Sequence, residues 1–189
     1  RVVMSGYYGF GNAGDDAILE SIQQAIRTAS DQVSVTVLSN DPEMTQRMYH
    51  MDALPRFQLI PVIRALRRCD VLLSGGGSLL QDRTSTRSLL YYLSVIRAAE
   101  WMGKPVMLYA NGIGPVRKAA NRRRVKKVVE RAALVTLRDR SSAQELRDMG
   151  VLREDLHVTA DPVFHLDPAS PQRARELLDQ AGLPEGRAF

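Results

Sequence analysis

The sequence predicts an α/β fold, a parallel sheet with helices on both faces. Three observations carry this prediction. Short apolar runs that suit buried parallel strands alternate with segments whose apolar residues recur at helical spacing, and the connections between them are only a few residues long. Several strands also run through a glycine-containing turn directly into a helix. Parallel strands joined in this way need right-handed crossovers, so the loops leaving their C-terminal ends all open on one edge.

Val2 to Met4 is the first strand, and the glycine-rich stretch Gly6 to Asp16 follows it. Ile18, Ile22, Ala25, Ile26 and Ala29 then share one face of a helix from about Asp15 to Ala29. Val33 to Leu38 alternates as a second strand, Ser39 to Pro42 is turn chemistry, and a short helix covers Glu43 to Met48. Phe57 to Ile60 reads as a third strand, with a helix from Pro61 to Arg68. Asp70 to Ser74 is a buried strand that enters Gly75-Gly76-Gly77-Ser78; Thr84, Ser85 and Thr86 supply a cap for the helix carrying Leu89, Leu93 and Ile96 to about Met102. Val106 to Ala110 is another strand, ending in Asn111-Gly112-Ile113-Gly114-Pro115. A helix from Lys118 to Ala133, strands at Leu134 to Leu137 and Leu156 to Thr159, and a short helix with Ala143, Leu146 and Met149 complete the array. The last helix runs from Pro171 to Ala181. The expected domain is therefore 1–182, with 183–189 starting a link to a further domain.

Composition narrows the function classes. The 189 residues are 44% hydrophobic and contain one cysteine and three histidines, which leaves no internal disulfide and no spaced zinc cluster. Cys69 reads as core. The absence of a long apolar run and of a signal-peptide pattern makes a cytoplasmic protein the expectation. A net charge of +5 and a pI near 9.7 permit anionic substrates, acidic membrane surfaces or nucleic acid without choosing among them. The chain starts without methionine and stops at Phe189, so the reading is a fragment.

Five loops should converge on the open edge: 6–16, 75–82, 111–115, 138–141 and 160–162. The first, with Gly9, Gly11, Asn12 and Gly14, matches neither the dinucleotide nor the Walker pattern. Asp15 and Asp16 fall in the first helical turn, where either a capping role or that of a general base for a neutral, polar substrate such as a sugar is open. Gly75, Gly76 and Gly77 allow close backbone approach, and with Ser78, Gln81 and Asp82 they suit phosphate or sugar hydroxyls. Asn111 and Gly112 offer an amide and a permissive backbone at a strand end. Arg138 and Arg140 flank Asp139 where a strand meets the edge, and a guanidinium is a natural clamp for carboxylate or phosphate. Tyr7, Tyr8 and Phe10 suit either sugar stacking or core, Trp101 reads as core, and His157 and His165 as structural. The basic run Arg117, Lys118, Arg122, Arg123, Arg124, Lys126, Lys127 and Arg131 is first a solvated helix face. Attraction to anionic lipid is next, and nucleic acid last, because the run lacks interleaved aromatics.

Taken in order, Gly6 to Leu19, Gly75 to Asp82, Ser85 to Tyr92, Asn111 to Pro115 and Arg138 to Ser141 resemble the polysaccharide pyruvyl transferase family, in its CsaB-like cell-wall branch. The resemblance covers the N-terminal half of the family and implies a GT-B-like enzyme of two Rossmann-like domains. It implies transfer of pyruvate from phosphoenolpyruvate, the donor substrate, to two hydroxyls of a lipid-linked or polymeric saccharide, with N-acetylmannosamine the acceptor sugar. The product is a ketal that helps to anchor surface-layer proteins, and no metal or cofactor is implied. Asp15 or Asp16 then fits the base or acceptor-binding role and Arg138 or Arg140 the donor carboxylate, while the basic helix would meet the inner membrane face. A nucleotide-sugar glycosyltransferase half shares the expected architecture, and a non-catalytic nucleic-acid-binding module would rest on the basic helix alone.

Overall fold

The computed structural model describes residues 1–183, so all of the expected link except Leu183 lies outside the described residues. Strands β1 (Val2–Ser5), β2 (Val35–Ser39), β3 (Asp52–Pro55), β4 (Val71–Gly75), β5 (Val106–Asn111), β6 (Leu134–Leu137) and β7 (Leu156–Val158) form one sheet. All pairings are parallel and the order is β3-β2-β1-β4-β5-β6-β7. The helices are α1 (Ala13–Ala29), α2 (Pro42–Tyr49), α3 (Leu59–Arg68), α4 (Thr86–Trp101), α5 (Ala119–Val129), α6 (Arg140–Asp148) and α7 (Pro171–Gln180). Strand order reverses between β1 and β4, so the loops after these two strands diverge to opposite faces and leave a crevice between them.

Alternation along each strand divides the core in two. Met4, Val37 and Leu73 pack with Ile18, Leu19 and Ile22 of α1 on one face. Their neighbours Val3, Leu38 and Leu72 belong to the other face, with Leu66 of α3, Leu89 and Ile96 of α4, Val125 and Val129 of α5 and Leu146 of α6. Each such side chain contributes about 1.5–3 kcal/mol when fully buried. Cys69 is buried among them, 2% exposed. Helix α7 has no buried residue.

The structure corrects several expectations. Phe57 to Ile60 is not a strand; β3 lies earlier, where Thr36 to Ser39 pair with Asp52 to Pro55. Pro55 is tolerated because β3 is an edge strand, and Gln58 N donates to Pro55 O at 3.1 Å, closing a turn that starts α3 instead. Trp101 is not core: it ends α4 roughly 140° around the helix from Ile96 and is 92% exposed. Neither Asp15 nor Asp16 caps α1. The helix begins two residues earlier, and Asn12 Oδ1 accepts from Gly14 N at 3.0 Å and Asp15 N at 3.2 Å. Ser85 caps α4, within the trio expected there.

Arg56, which sequence reading passed over, is 5% exposed at the end of β3. Its Nη1 donates to Gly6 O at 3.0 Å, and its guanidinium carbon lies 4.3 Å from the Tyr91 ring centroid and 5.0 Å from that of Phe10. Tyr91 Oη donates in turn to Arg56 O at 3.2 Å. One buried cation thus ties the loop after β1 to the end of β3 and to α4.

Candidate functional site

The loops after β1, β4 and β6 and the segment after β7 meet at the crevice beside the β1/β4 reversal. They enclose a pocket of about 330 Å³ lined by Asn12, Gly14, Asp15, Gly77, Ser78, Arg138 and Asp161, with Ile18 and Val163 as apolar walls. The β5 loop completes the convergence from below, since Gly112 N donates to Gly77 O at 2.9 Å. Asp161 comes from the far edge of the sheet. After β7 the chain folds back in a 3₁₀ turn, Pro162–His165, which packs on α1, and Ser21 Oγ donates to Pro162 O there.

Arg138 is the hub. Its Nη2 donates to Ser78 Oγ at 2.8 Å and its Nη1 to Asp161 Oδ2 at 3.3 Å, while its Nε lies 3.5 Å from Asp139 Oδ2. Asp139 does more than pair with it: Asp139 caps α6 by accepting from Ser142 N at 2.7 Å. The guanidinium is held by groups from three loops, which is the preorganisation an anion clamp needs. Arg140, by contrast, is exposed in the first turn of α6 and does not line the pocket.

Asp15 faces Arg138 across the pocket. Burial pushes its carboxyl up to about 6, the charges of Asp16 and Asp161 adding to the rise and Arg138 opposing it. Such a group is poised to take or hold a proton near neutrality. Asp16, one position on, does not line the pocket; burial raises its carboxyl too, and it lies toward Tyr49, whose phenol is pushed upward by burial first and then by the charges of Asp16 and Glu20. The structure therefore separates the two carboxylates that the sequence presented as a pair.

The glycines divide in the same way. Gly77 lines the pocket at φ +66°, and a Cβ there would stand 3.0 Å from Asp15 Oδ1. Gly76, at φ +65°, seats the loop against Ile18 of α1, and Gly75 packs between Leu73 and Ile22 while its carbonyl accepts from Tyr8 Oη at 3.0 Å. Tyr8 is buried; Tyr7 and Phe10 are each 38% exposed and stack at 4.1 Å. Gly9 turns against the start of α2 at Asp41, and neither Gly9 nor Gly11 is among the lining residues. Gln81 binds Thr84 and the Arg83 and Thr84 amides within its own turn. Asp82 holds the segment that enters α5, accepting from Arg117 N, Lys118 N and Asn121 Nδ2; burial opposes the ionised form, but these hydrogen bonds bring its carboxyl below the ordinary range. Asn111 is fully buried and donates to Ser74 O at 2.7 Å.

Gly112 supports Arg138 by having no side chain. A Cβ there would lie 2.8 Å from both Arg138 Nε and Ser78 Oγ. Gly112→Ala is expected to break the Arg138–Ser78 hydrogen bond and, in the full-length protein, to lower activity at least about tenfold with the fold retained. Kinetics beside circular dichroism check it; full activity would mean that Arg138 does not need this seat.

A family model for polysaccharide pyruvyl transferase matches residues 12–188. The chain belongs to the polysaccharide pyruvyl transferase family. Among solved structures, this chain is similar to Anabaena Alr3699/HepE in complex with UDP and glucose, with a TM-score of 0.61 and 15% identity over 96% of this chain and 50% of that one. It is also similar to UDP-GlcNAc 2-epimerase from Neisseria meningitidis bound to UDP-GlcNAc, with a TM-score of 0.51 and 16% identity over 97% of this chain and 52% of that one. The chain thus spans about half the length of these proteins, and at this identity the likeness is one of fold. No curated protein matches it. Of the pocket residues, sequence reading missed Asp161: Ala160-Asp161-Pro162 was legible as an edge loop, but nothing local marks Asp161 as the partner of an arginine 23 residues earlier.

Proposed function

We propose that this pyruvyl transferase moves the enolpyruvyl carbons of phosphoenolpyruvate onto two hydroxyls of a saccharide, forming a cyclic ketal and releasing phosphate. One observation carries the reading. A carboxylate raised to about 6, Asp15, faces a fixed guanidinium, Arg138, in a pocket at the strand-order reversal.

The reaction adds one hydroxyl oxygen to the donor's C2 as a proton reaches its methylene carbon, which becomes a methyl group. The second hydroxyl oxygen then replaces phosphate at C2, and its proton leaves with the phosphate. Asp15 accepts a hydroxyl proton or orients that hydroxyl, and Arg138 holds the donor carboxylate. The proton donor and further donor contacts would come from a second domain facing this edge, so the 189 residues alone are expected to bind without turnover. We put the reaction in the cytoplasm, with a lipid-linked or polymeric acceptor bearing N-acetylmannosamine and the ketal serving surface-layer anchoring.

The nucleotides bound in the two similar structures favour a second reading, a nucleotide-sugar glycosyltransferase half. Phosphate release from phosphoenolpyruvate by the full-length protein, with and without acceptor, separates the two. Acceptor-dependent release is the expected result. Consumption of a uridine diphosphate sugar, with no phosphate released from phosphoenolpyruvate, would overturn the proposal.

A further inference from the structure

Away from the cleft, α4 and α5 leave a groove of about 860 Å³ between them. Arg97, Lys104, Arg124 and Arg131 line it with Leu90 and Trp101, and a smaller cavity continuing from it adds Arg123 and Lys127. Glu100 is the one carboxylate on either lining. Among the described residues, Arg97, Arg123, Lys127 and Arg131 have no carboxylate within salt-bridge distance. The basic run of the sequence is therefore more than the solvated back of a helix, because its neighbour α4 adds cations to the same concavity.

Trp101 changes what that charge is for. Trp101, 92% exposed at the end of α4, and Leu90, about three turns earlier on the same helix face and 39% exposed, put apolar surface at both ends of the basic groove they line. An indole among arginines and lysines matches the chemistry of a bilayer interface, where the ring sits at headgroup depth and the cations meet lipid phosphates. A nucleic-acid track would instead need aromatic rings repeated along the groove, and Trp101 is the only aromatic on its lining. Placement agrees. Helix α4 starts at the edge that carries the cleft and runs back to the opposite edge, where Lys104 N donates to Ala99 O just before β5. A surface docked at Trp101 leaves the cleft open.

We propose that the α4/α5 groove and Trp101 form a docking surface for the anionic headgroups of a membrane. Among the described residues no helix is long and apolar enough to cross a membrane, and the proposed contact is one of surface side chains with headgroups. This inference does not depend on which group the cleft transfers, because it is tested without substrate; in combination with the proposed activity it would bring the pocket to a lipid-linked acceptor.

Vesicles of phosphatidylcholine alone and of phosphatidylcholine with phosphatidylglycerol test it by cosedimentation. Trp101 is the only tryptophan in the chain, so its fluorescence reports its own surroundings. The expected result is binding to the anionic vesicles only, weakened by salt, with a blue shift of the emission. Trp101→Ala and the double variant Arg124→Glu/Arg131→Glu should each lower vesicle binding at least about tenfold with the fold unchanged. No binding to anionic vesicles, or binding that both variants retain, would overturn the proposal. So would tighter binding to a single-stranded oligonucleotide than to any vesicle.

Discussion

In the full-length protein, Arg138→Ala is expected to lower the proposed pyruvyl transfer by about a hundredfold or more while the sheet stays folded, a loss of at least about 2.7 kcal/mol of transition-state stabilisation. The size follows from what the guanidinium holds. It spans Ser78 and Asp161, and Asp139 lies against its third nitrogen. Alanine leaves Asp161 without its cation and, under the proposed reaction, removes the clamp for the donor's carboxylate. A second readout separates this role from a merely structural one. Arg138 is the group that restrains the rise of the Asp15 carboxyl, so without it the acid limb of the pH–rate profile should move above about 6. Arg138→Lys keeps the charge but cannot bridge two partners in one plane, and it should recover only part of the rate. Wild-type kinetics in the alanine variant would remove Arg138 from the site.

The same residue marks how far the sequence could be read. Short apolar strands, helical stripes and glycine turns made the parallel sheet legible, and with it the edge where the loops meet, because these depend on local pattern and on the handedness of crossovers. The side-chain partners across that edge were not legible. Asp161 reaches Arg138 only because the chain returns from β7 to pack on α1, and Arg56 meets Gly6, Phe10 and Tyr91 only once β3 is placed at the edge. The apolar run Phe57 to Ile60 misled because hydrophobicity alone does not say that Pro55 has already ended the strand and begun a turn. Trp101 misled in the same way, since an aromatic at a helix end reads as core until its angle around the helix is known. Asp15 and Asp16 were equivalent in the sequence, and one step of helical rotation makes only the first a pocket residue.

That rotation leads to the other large effect. Asp15→Asn is expected to lower activity about a hundredfold or more, whereas Asp16→Asn should change it by less than about tenfold. Wild-type activity should fall as pH drops below about 6, since only the ionised Asp15 can take a proton, and the Asn variant should lack this limb. Stability must move the other way. The Asp15 carboxyl is raised from 3.8 to about 6, so the fold favours its neutral form; the resulting stabilisation is complete below about pH 4 and is lost as pH rises through 6. Above that point the wild type holds a disfavoured charge that asparagine lacks. Allowing for the solvent screening of a half-exposed group, Asp15→Asn should therefore be more stable by on the order of 1 kcal/mol at neutral pH, with the difference shrinking toward pH 4. Thermal melts of both variants across that range, read beside their kinetics, make the test. A residue kept for structure would lose stability and activity together. An inactive but stabilised Asp15→Asn would show a carboxylate held in its pocket against the interest of the fold, whereas a destabilised variant, or one with an unchanged pH–rate profile, would take Asp15 out of the chemistry.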